Sequence, residues 1–202
     1  MRQPLFGVIF ATTVVLAFVL GRLSAQDVEP SCPMCPSTHI GAGEIESYVT
    51  VGRDTNAVDQ QVRSIDIGKT NIQIAVAHRG ALAEPRPNSV AMHDLVTEVY
   101  YVLSGSGTNR TGPDLVDAQR RPSDNRAVQF LNGPGRNAAD IRNAETTELQ
   151  AGDVFVIPAG TGHQFTKIGD HISYLMVRID PDKVVPLMDA AASHAYLAER
   201  GQ

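Results

Sequence analysis

The sequence predicts an all-β fold, a closed or sandwiched antiparallel sheet followed by one C-terminal helix. Short segments that alternate apolar and polar residues follow one another from residue 44 onward, most clearly in NIQIAVAH and DVFVIP. The chain contains 17 glycines and 12 prolines, few aromatic residues and no tryptophan. Such a composition is typical of chains made of many short strands and turns.

The 202 residues suffice for one domain with a well-developed core. The predicted strands are EIESYVTV, QVRSIDIG, NIQIAVAH, the stretch AMHDLVTEVYYVLSG, VQFL, DVFVIPAG and HISYLMVRID. Between Gly107 and Leu149 lies a long polar connection, of a kind that often serves as a lid or binding loop. The weak apolar stripe of VVPLMDAAASHAYLAER predicts the C-terminal helix, packed on the outside of the sheet.

The sequence divides the chain into four predicted segments. Residues 1–25 combine Arg2, an uncharged apolar run and a small residue at Ala25, as in a secretory signal; an uncleaved N-terminal anchor is the alternative. Residues 26–43 are expected to be a flexible segment, residues 44–182 the β-barrel domain, and residues 183–202 the C-terminal helix and tail. We therefore expect a periplasmic or secreted protein, tethered to a membrane only if the signal stays uncleaved.

Charge and cysteine content exclude some classes of function. Removal of residues 1–25 takes away two arginines and no acid, leaving 15 basic and 22 acidic residues, a net charge of −7. Nucleic acid is an unsuitable partner for such a surface. Cys32 and Cys35 form a C-x-x-C pair that should be oxidised outside the cytoplasm. Pro36 follows Cys35, which excludes haem attachment, and the sequence has no second cysteine pair for structural zinc.

Two histidines and one glutamate flank turns between strands. His93 precedes Glu98 by five residues, and His163 follows a glycine-bearing turn after DVFVIP. If both turns lie at one end of a barrel, the three side chains come within a few ångströms of one another. Two imidazoles and one carboxylate can hold a divalent metal and leave positions open for water or substrate.

The first of these stretches resembles the first cupin signature motif, which runs G, five residues, H-x-H, three or four residues, E, six residues, G. His93 matches the second histidine, and the spacings to Glu98 and Gly105 fit. Ala91 replaces the first histidine and Pro85 the first glycine. One metal ligand expected from the motif is therefore missing.

The second stretch resembles the second cupin motif, which runs G, five residues, P-x-G, two residues, H, three residues, N. Gly152, Pro158, Gly160 and His163 occupy the matching positions, and Lys167 stands where the asparagine would be. The resemblance covers roughly residues 70 to 180. The two motifs in this order are more specific than either alone.

The resemblance to the cupin superfamily implies a small antiparallel β-barrel of the double-stranded β-helix or jelly-roll type. It also implies one divalent metal (Fe, Mn, Zn, Ni or Cu) held by His93, Glu98 and His163, a small-molecule ligand or substrate, and frequently a homodimer. Cupins include dioxygenases and other enzymes as well as non-catalytic binding proteins. We therefore keep two hypotheses, an exported metal-dependent oxidoreductase of the dioxygenase type and a binding module without catalysis, and assign no catalytic residue.

Three further side chains receive a predicted role. Glu98 could act as a base instead of a ligand, because burial in an apolar barrel raises the pKa of a carboxyl group. Tyr100 lies on the face of Glu98 and belongs to the cavity or the core. His78 shares the two-residue period of Ile72, Ile74 and Val76, so we expect it to point into the barrel, either as a fourth ligand or as a partner of Glu98.

Overall fold

A computed structural model describes residues 28–202. The predicted leader, residues 1–25, lies outside the described residues. Residues 28–34 contain a bend and a turn, and all described helices and strands lie in a separate compact unit, residues 35–202. These are α1 (Ala42–Thr55), β1 (Asp59–Asp66), β2 (Asn71–Leu82), β3 (Val90–His93), β4 (Thr97–Gly112), β5 (Leu115–Val116), β6 (Gln119–Arg120), α2 (Arg126–Phe130), β7 (Gly135–Ala138), β8 (Asp140–Ile141), β9 (Glu145–Gln150), β10 (Val154–Ile157), β11 (Gly162–Asp180) and α3 (Ala190–Ala198).

The fold is an antiparallel β-barrel with a short C-terminal helix, as predicted. Its two longest strands are β4 and β11, and β11 pairs with β2, β3 and β4. Strand β4 pairs in addition with β9 and β10. Strands β4 and β11 therefore connect the smaller strands into one curved sheet.

Gly105 lies where β4 meets an irregular part of β11. Its φ is +75°, and an added Cβ would collide with the backbone carbonyl of His171. The register of the two strands shifts between Lys167 and Ile172, the residue paired with Gly105. Only glycine combines this positive φ with so close a backbone approach, so Gly105 helps to set the register of the two strands.

Apolar residues cover both faces of β2. Ala75 and Ala77 belong to the interior cluster with Tyr100, Phe165, Tyr174 and their neighbours. Val76, with Ile74 beside it, belongs to a second cluster formed with helices α1 and α3. One face of β2 thus lines the barrel, and the other is covered by the helices.

Two segments predicted as strands are helices. EIESYVTV lies within α1, whose side chains Tyr48 and Val51 lie one turn apart and are buried against the sheet. Its eight residues fit both periods, so alternation alone misassigned it. VQFL lies mostly in the short helix α2, where the Asn125 side chain accepts a hydrogen bond from the backbone N–H of Ala127.

The C-terminal helix α3 is present and packs outside the barrel, as expected, and its buried residues are Ser193 and Leu197. The connection between Gly107 and Leu149 is more regular than predicted. Its ends belong to β4 and β9, and four short strands and α2 lie between them. The proposed domain boundaries stay predictions.

One observation concerns the predicted oxidation of the cysteine pair. Cys32 and Cys35 are both disulfide-bonded, in agreement with the expected oxidised pair. None of the helices in the described part of the chain has the length and apolar character needed to cross a membrane.

Candidate metal centre

Three strands bring His93, Glu98 and His163 together. His93 ends β3, Glu98 is the second residue of β4, and His163 is the second residue of β11. The backbone N–H of Gly160 donates to the His93 carbonyl at 2.8 Å, which ties the turn before β11 to the end of β3. The predicted convergence of the two turns is therefore observed.

The three side chains form a compact buried group. The distance from His93 Nε2 to Glu98 Oε1 is 3.5 Å, and that from His163 Nε2 to Glu98 Oε2 is 3.6 Å. One potential ligand atom from each residue lies within 4.8 Å of the other two. No more than 8% of any of the three residues is exposed. The group could hold a metal ion in a site with little solvent.

Two residues that the sequence analysis did not assign to the site bind Glu98. Arg178 Nε donates to Glu98 Oε1 at 2.8 Å, and the Tyr100 hydroxyl donates to Glu98 Oε2 at 2.8 Å. Each carboxylate oxygen can accept two hydrogen bonds, so each keeps a lone pair available on the side of the histidines. The two hydrogen bonds thus fix the carboxylate and leave both of its oxygens able to bind a metal ion.

Arg178 forms a second ion pair, with the partly exposed carboxylate of Asp59. Its NH2 group donates to Asp59 Oδ2 at 2.6 Å, and the arginine has no solvent exposure. The sequence contained one indication of this role. Arg178 continues the inward row of Tyr174 and Met176 by the two-residue period, and a buried arginine requires a carboxylate partner.

Glu98 is ionised, which corrects the expectation of a raised pKa. Burial raises the pKa of the carboxyl group, but the electrostatic influence of the His93 imidazole and the Arg178 guanidinium, the hydrogen bond with His93 and the influence of the His163 imidazole together lower it well below its usual value. Burial and the neighbouring Glu98 charge raise the pKa of Tyr100 well above its usual value, so this hydroxyl keeps the proton it donates. Glu98 is therefore suited to be a ligand and unsuited to be a base near neutral pH.

The two histidines differ in their outer contacts. His163 Nδ1 lies 3.3 Å from the Thr161 carbonyl, which favours a proton on Nδ1 and a free lone pair on Nε2. Burial lowers the pKa of His163 to about 4, despite the opposing Glu98 charge, so the ring is neutral near pH 7. His93 Nδ1 instead lies 3.4 Å from the Arg121 NH1 group, which can only donate. That contact favours the tautomer with its proton on Nε2.

The donor set nevertheless fits a divalent metal. Ligand atoms bound to one ion at about 2.1 Å lie roughly 3.0–3.4 Å apart, close to the two spacings between imidazole nitrogen and carboxylate oxygen given above. His93 needs only a change of tautomer, since Arg121 also donates to Asn137 at 2.7 Å and to Asn132 at 3.3 Å. These contacts can hold the guanidinium when His93 Nδ1 carries a proton.

Comparison with known proteins gives matches only among solved structures. No family profile and no curated protein matches the chain. A Bacillus halodurans protein shares 15% identity over 79% of this chain and 96% of its own, with a TM-score of 0.40. A Klebsiella pneumoniae protein with a double-stranded β-helix domain shares 16% over 76% and 99% (TM-score 0.41), and a Bacteroides fragilis cupin 16% over 74% and 87% (TM-score 0.37).

The antiparallel barrel, with both motif-bearing turns meeting at one buried group, is the arrangement that the resemblance to the cupin motifs implies. The site departs from the cupin motifs at the predicted positions. Ala91 pairs with His163 across β3 and β11, and it shares the face of His93, so a methyl group occupies the place of the missing imidazole. Lys167 is exposed and lies outside the three-residue group.

The structure places His78 away from this group, and the prediction of its inward face was wrong. Its neighbours by the two-residue period, Ile74 and Val76, face the helices and not the interior of the barrel. His78 Nδ1 lies 2.8 Å from the Ser173 hydroxyl, and its ring stacks on His171 with centroids 5.7 Å apart. This face of β2 is apolar because helices cover it. The sequence pattern alone does not distinguish burial under helices from burial inside the barrel.

Proposed function

We propose that this protein is a cupin and that it binds one divalent metal per chain through His93, Glu98 and His163. The observation that carries the proposal is the convergence of two imidazoles and one ionised carboxylate in a buried group. Iron, manganese, zinc, nickel and copper all accept such ligands. Ala91 supplies no ligand atom, so a bound metal could take water or a substrate as its fourth ligand.

The residues around the group have distinct positioning roles. Arg178 and Tyr100 orient the two oxygens of Glu98, and Arg178 also keeps the carboxylate ionised. The Thr161 carbonyl orients the ring of His163. A preorganised ligand set of this kind loses little freedom when an ion binds.

Metal analysis of variants tests this assignment. Purified protein would be loaded with one metal at a time and dialysed, and its metal content would be measured by mass spectrometry. We expect His93→Ala, Glu98→Gln and His163→Ala each to lose most of the bound metal. His171→Ala is the matched control, because this histidine lies outside the group. Full metal content in folded, monodisperse His163→Ala protein would contradict the proposal.

We propose further that the protein uses this site as an oxidoreductase of the dioxygenase type. Two histidines and one carboxylate form the set of non-haem Fe(II) oxygenases, where bound iron supplies redox chemistry toward O₂ and open positions for substrate. Oxygen consumption by iron-loaded protein with candidate phenols or diketones tests the activity. The second candidate is a non-catalytic binding module, favoured by Ala91 and Lys167 at motif positions. Metal binding without substrate-dependent oxygen consumption would support that candidate.

Export completes the proposal. The charge, apolar run and small residue of residues 1–25 support a cleaved secretory signal, and the disulfide-bonded cysteines support an oxidising compartment. The mature chain is then expected to begin near Gln26. The intact mass of protein from the periplasmic or extracellular fraction tests this expectation. A full-length mass in the membrane fraction would indicate an anchor instead.

A further inference from the structure

A second place in the barrel domain has the features of a binding site. A cavity of about 780 Å³ lies between α1, β2 and β11, and its size falls within the roughly 300–1,000 Å³ of small-molecule sites. His93, Glu98 and His163 are not among its lining residues. Its charged and imidazole-bearing side chains are Arg53, Arg79, Arg86, His78, His171 and Asp170.

Arg79 is the partly buried cation of this cavity. Its Nε donates to the Tyr174 hydroxyl at 3.0 Å, and its guanidinium carbon lies 5.3 Å from the centre of the Phe165 ring. Within residues 28–202 its two terminal nitrogens have no hydrogen-bond partner, and no carboxylate lies at ion-pair distance. The guanidinium is thus held at one edge and free at the other, the edge that binds a carboxylate through two parallel hydrogen bonds.

The other charges of the cavity do not neutralise Arg79. The negative charge of Asp59 interacts with Arg79 at a distance, but the Asp59 carboxylate forms its ion pair with Arg178 at 2.6 Å. Asp170, the acidic residue of the lining, is exposed and bonds to His171 Nδ1 at 2.6 Å. Arg86 is exposed at the rim and forms no ion pair in the described part of the chain. The cavity therefore has an excess of positive charge.

The rest of the lining separates into a polar and an apolar wall. On the polar wall, His78 Nδ1 lies 2.8 Å from Ser173 Oγ, and His171 Nε2 lies 3.1 Å from Ser104 Oγ. Leu82, Phe165 and Ile168 contribute the apolar surface. A ligand suited to both walls carries a charged head and a hydrophobic body.

We propose that this cavity binds a small organic carboxylate with an apolar body, and that Arg79 is its main anchor. Arg86 attracts the anion at the rim, and the Phe165 wall packs against the apolar body. The inference deepens the proposed function by naming a ligand class, but the binding itself requires no metal. It can therefore be tested separately from the metal centre.

The test uses calorimetric titration of the full, mature chain after removal of metal with a chelator. The probes are 3-phenylpropionate, its uncharged amide and inorganic phosphate. We expect saturable binding of the carboxylate, with the amide and phosphate each weaker by about ten-fold or more. Arg79→Gln should weaken carboxylate binding by about ten-fold or more, since a charge-assisted bond is lost. Arg86→Gln should weaken it by a few-fold, and Arg142→Gln, on an exposed ion pair elsewhere, should leave it unchanged.

Several results would overturn the inference. One is the absence of saturable binding to folded wild-type protein, and another is equal binding of the amide or of phosphate. Because Arg79→Gln could disturb folding through Tyr174, its circular dichroism must match that of the wild type, and Arg86→Gln gives an independent reading. Unchanged affinity in both variants rejects the site. Binding that needs metal and disappears in His163→Ala would place the ligand on the metal centre, which rejects this cavity and leaves the proposed function intact.

Discussion

Arg178 and Glu98 pair with each other across β11 and β4 and form an ion pair that is closed to solvent. The two residues are 80 positions apart in sequence, and the 2.8 Å bond from Arg178 Nε fixes the carboxylate oxygen that lies 3.5 Å from His93 Nε2. The same arginine binds Asp59 and the carbonyl of Leu131. One buried side chain thus connects the metal-binding carboxylate to β1 and to the segment after α2.

Replacement of this arginine should strongly destabilise the fold. Arg178→Met keeps most of the side-chain volume but leaves the carboxylates of Glu98 and Asp59 without their arginine partner. Loss of one member of a buried ion pair costs roughly 3–5 kcal/mol of folding stability. Urea denaturation of metal-free protein measures the loss. The control Arg142→Gln, which breaks an exposed pair with Asp114, should cost about 1 kcal/mol or less. Similar losses for both variants would contradict the structural role of Arg178.

Removal of Arg121 should strengthen metal binding. Its NH1 group favours the His93 tautomer with a proton on Nε2, the nitrogen that must give up its proton to bind a metal. Its positive charge also lies beside the site. We expect Arg121→Met to raise zinc affinity by about ten-fold, measured by competition with a chromophoric chelator. Arg120→Met is the neighbouring control, because Arg120 binds Asp94 and not a metal-site residue. Unchanged or lower affinity in Arg121→Met would show that this contact does not oppose the metal.

A histidine at position 91 should complete the ligand set. Residue 91 pairs with His163 and shares the face of His93, so an imidazole there should reach the same ion. Ala91→His is expected to raise metal affinity by about ten-fold or more, and Ala91→Ser controls for a polar residue of small size. Equal affinity of the two variants would mean that position 91 does not face the metal.

The stability of the metal-free protein should depend on the protonation of His163. Its pKa in the fold is about 4, against 6.5 for an ordinary histidine, so protonation favours the unfolded chain. This contribution to the free energy of unfolding is complete above pH 6.5 and is lost as the pH falls toward 4. At about 1.4 kcal/mol per tenfold change in proton affinity, it amounts to roughly 3 kcal/mol.

The difference between wild type and His163→Gln isolates this contribution. Urea denaturation at several pH values should give a difference that is constant above pH 6.5 and shrinks below it. His171→Gln is the control for a partly exposed histidine. A difference that stays constant from pH 7 to pH 4 would contradict the depressed pKa.

His163 could be predicted as a candidate ligand because glycine and proline mark the turn before it, and His93 and Glu98 could be predicted because their spacing matches the first cupin motif. Pro158 and Gly160 give a turn at a fixed distance before His163, and local spacing therefore suffices. Arg178 could not be predicted as the partner of Glu98, because that contact depends on the register of two distant strands. The pKa of Glu98 was misjudged for the same reason, since burial was foreseen and the guanidinium of Arg178 was not.

The face of β2 illustrates a different limit. Alternation identifies two faces of a strand but does not say which surface covers each one. Ile74 and Val76 pack under helices, while the smaller Ala75 and Ala77 line the barrel. Because the larger apolar residues were assigned to the barrel interior, His78, which shares their face, was assigned there too.

Mutations of Gly105 should impair the metal centre although Gly105 is not one of its ligands. Any side chain at this position meets the His171 carbonyl and disturbs the register that aligns Glu98 with Arg178. In a random-mutagenesis screen for protein variants that no longer bind metal, substitutions of Gly105 should therefore appear beside those of His93, Glu98 and His163. Such a screen would identify Gly105 as essential for metal binding, although glycine has no side chain that could bind the ion.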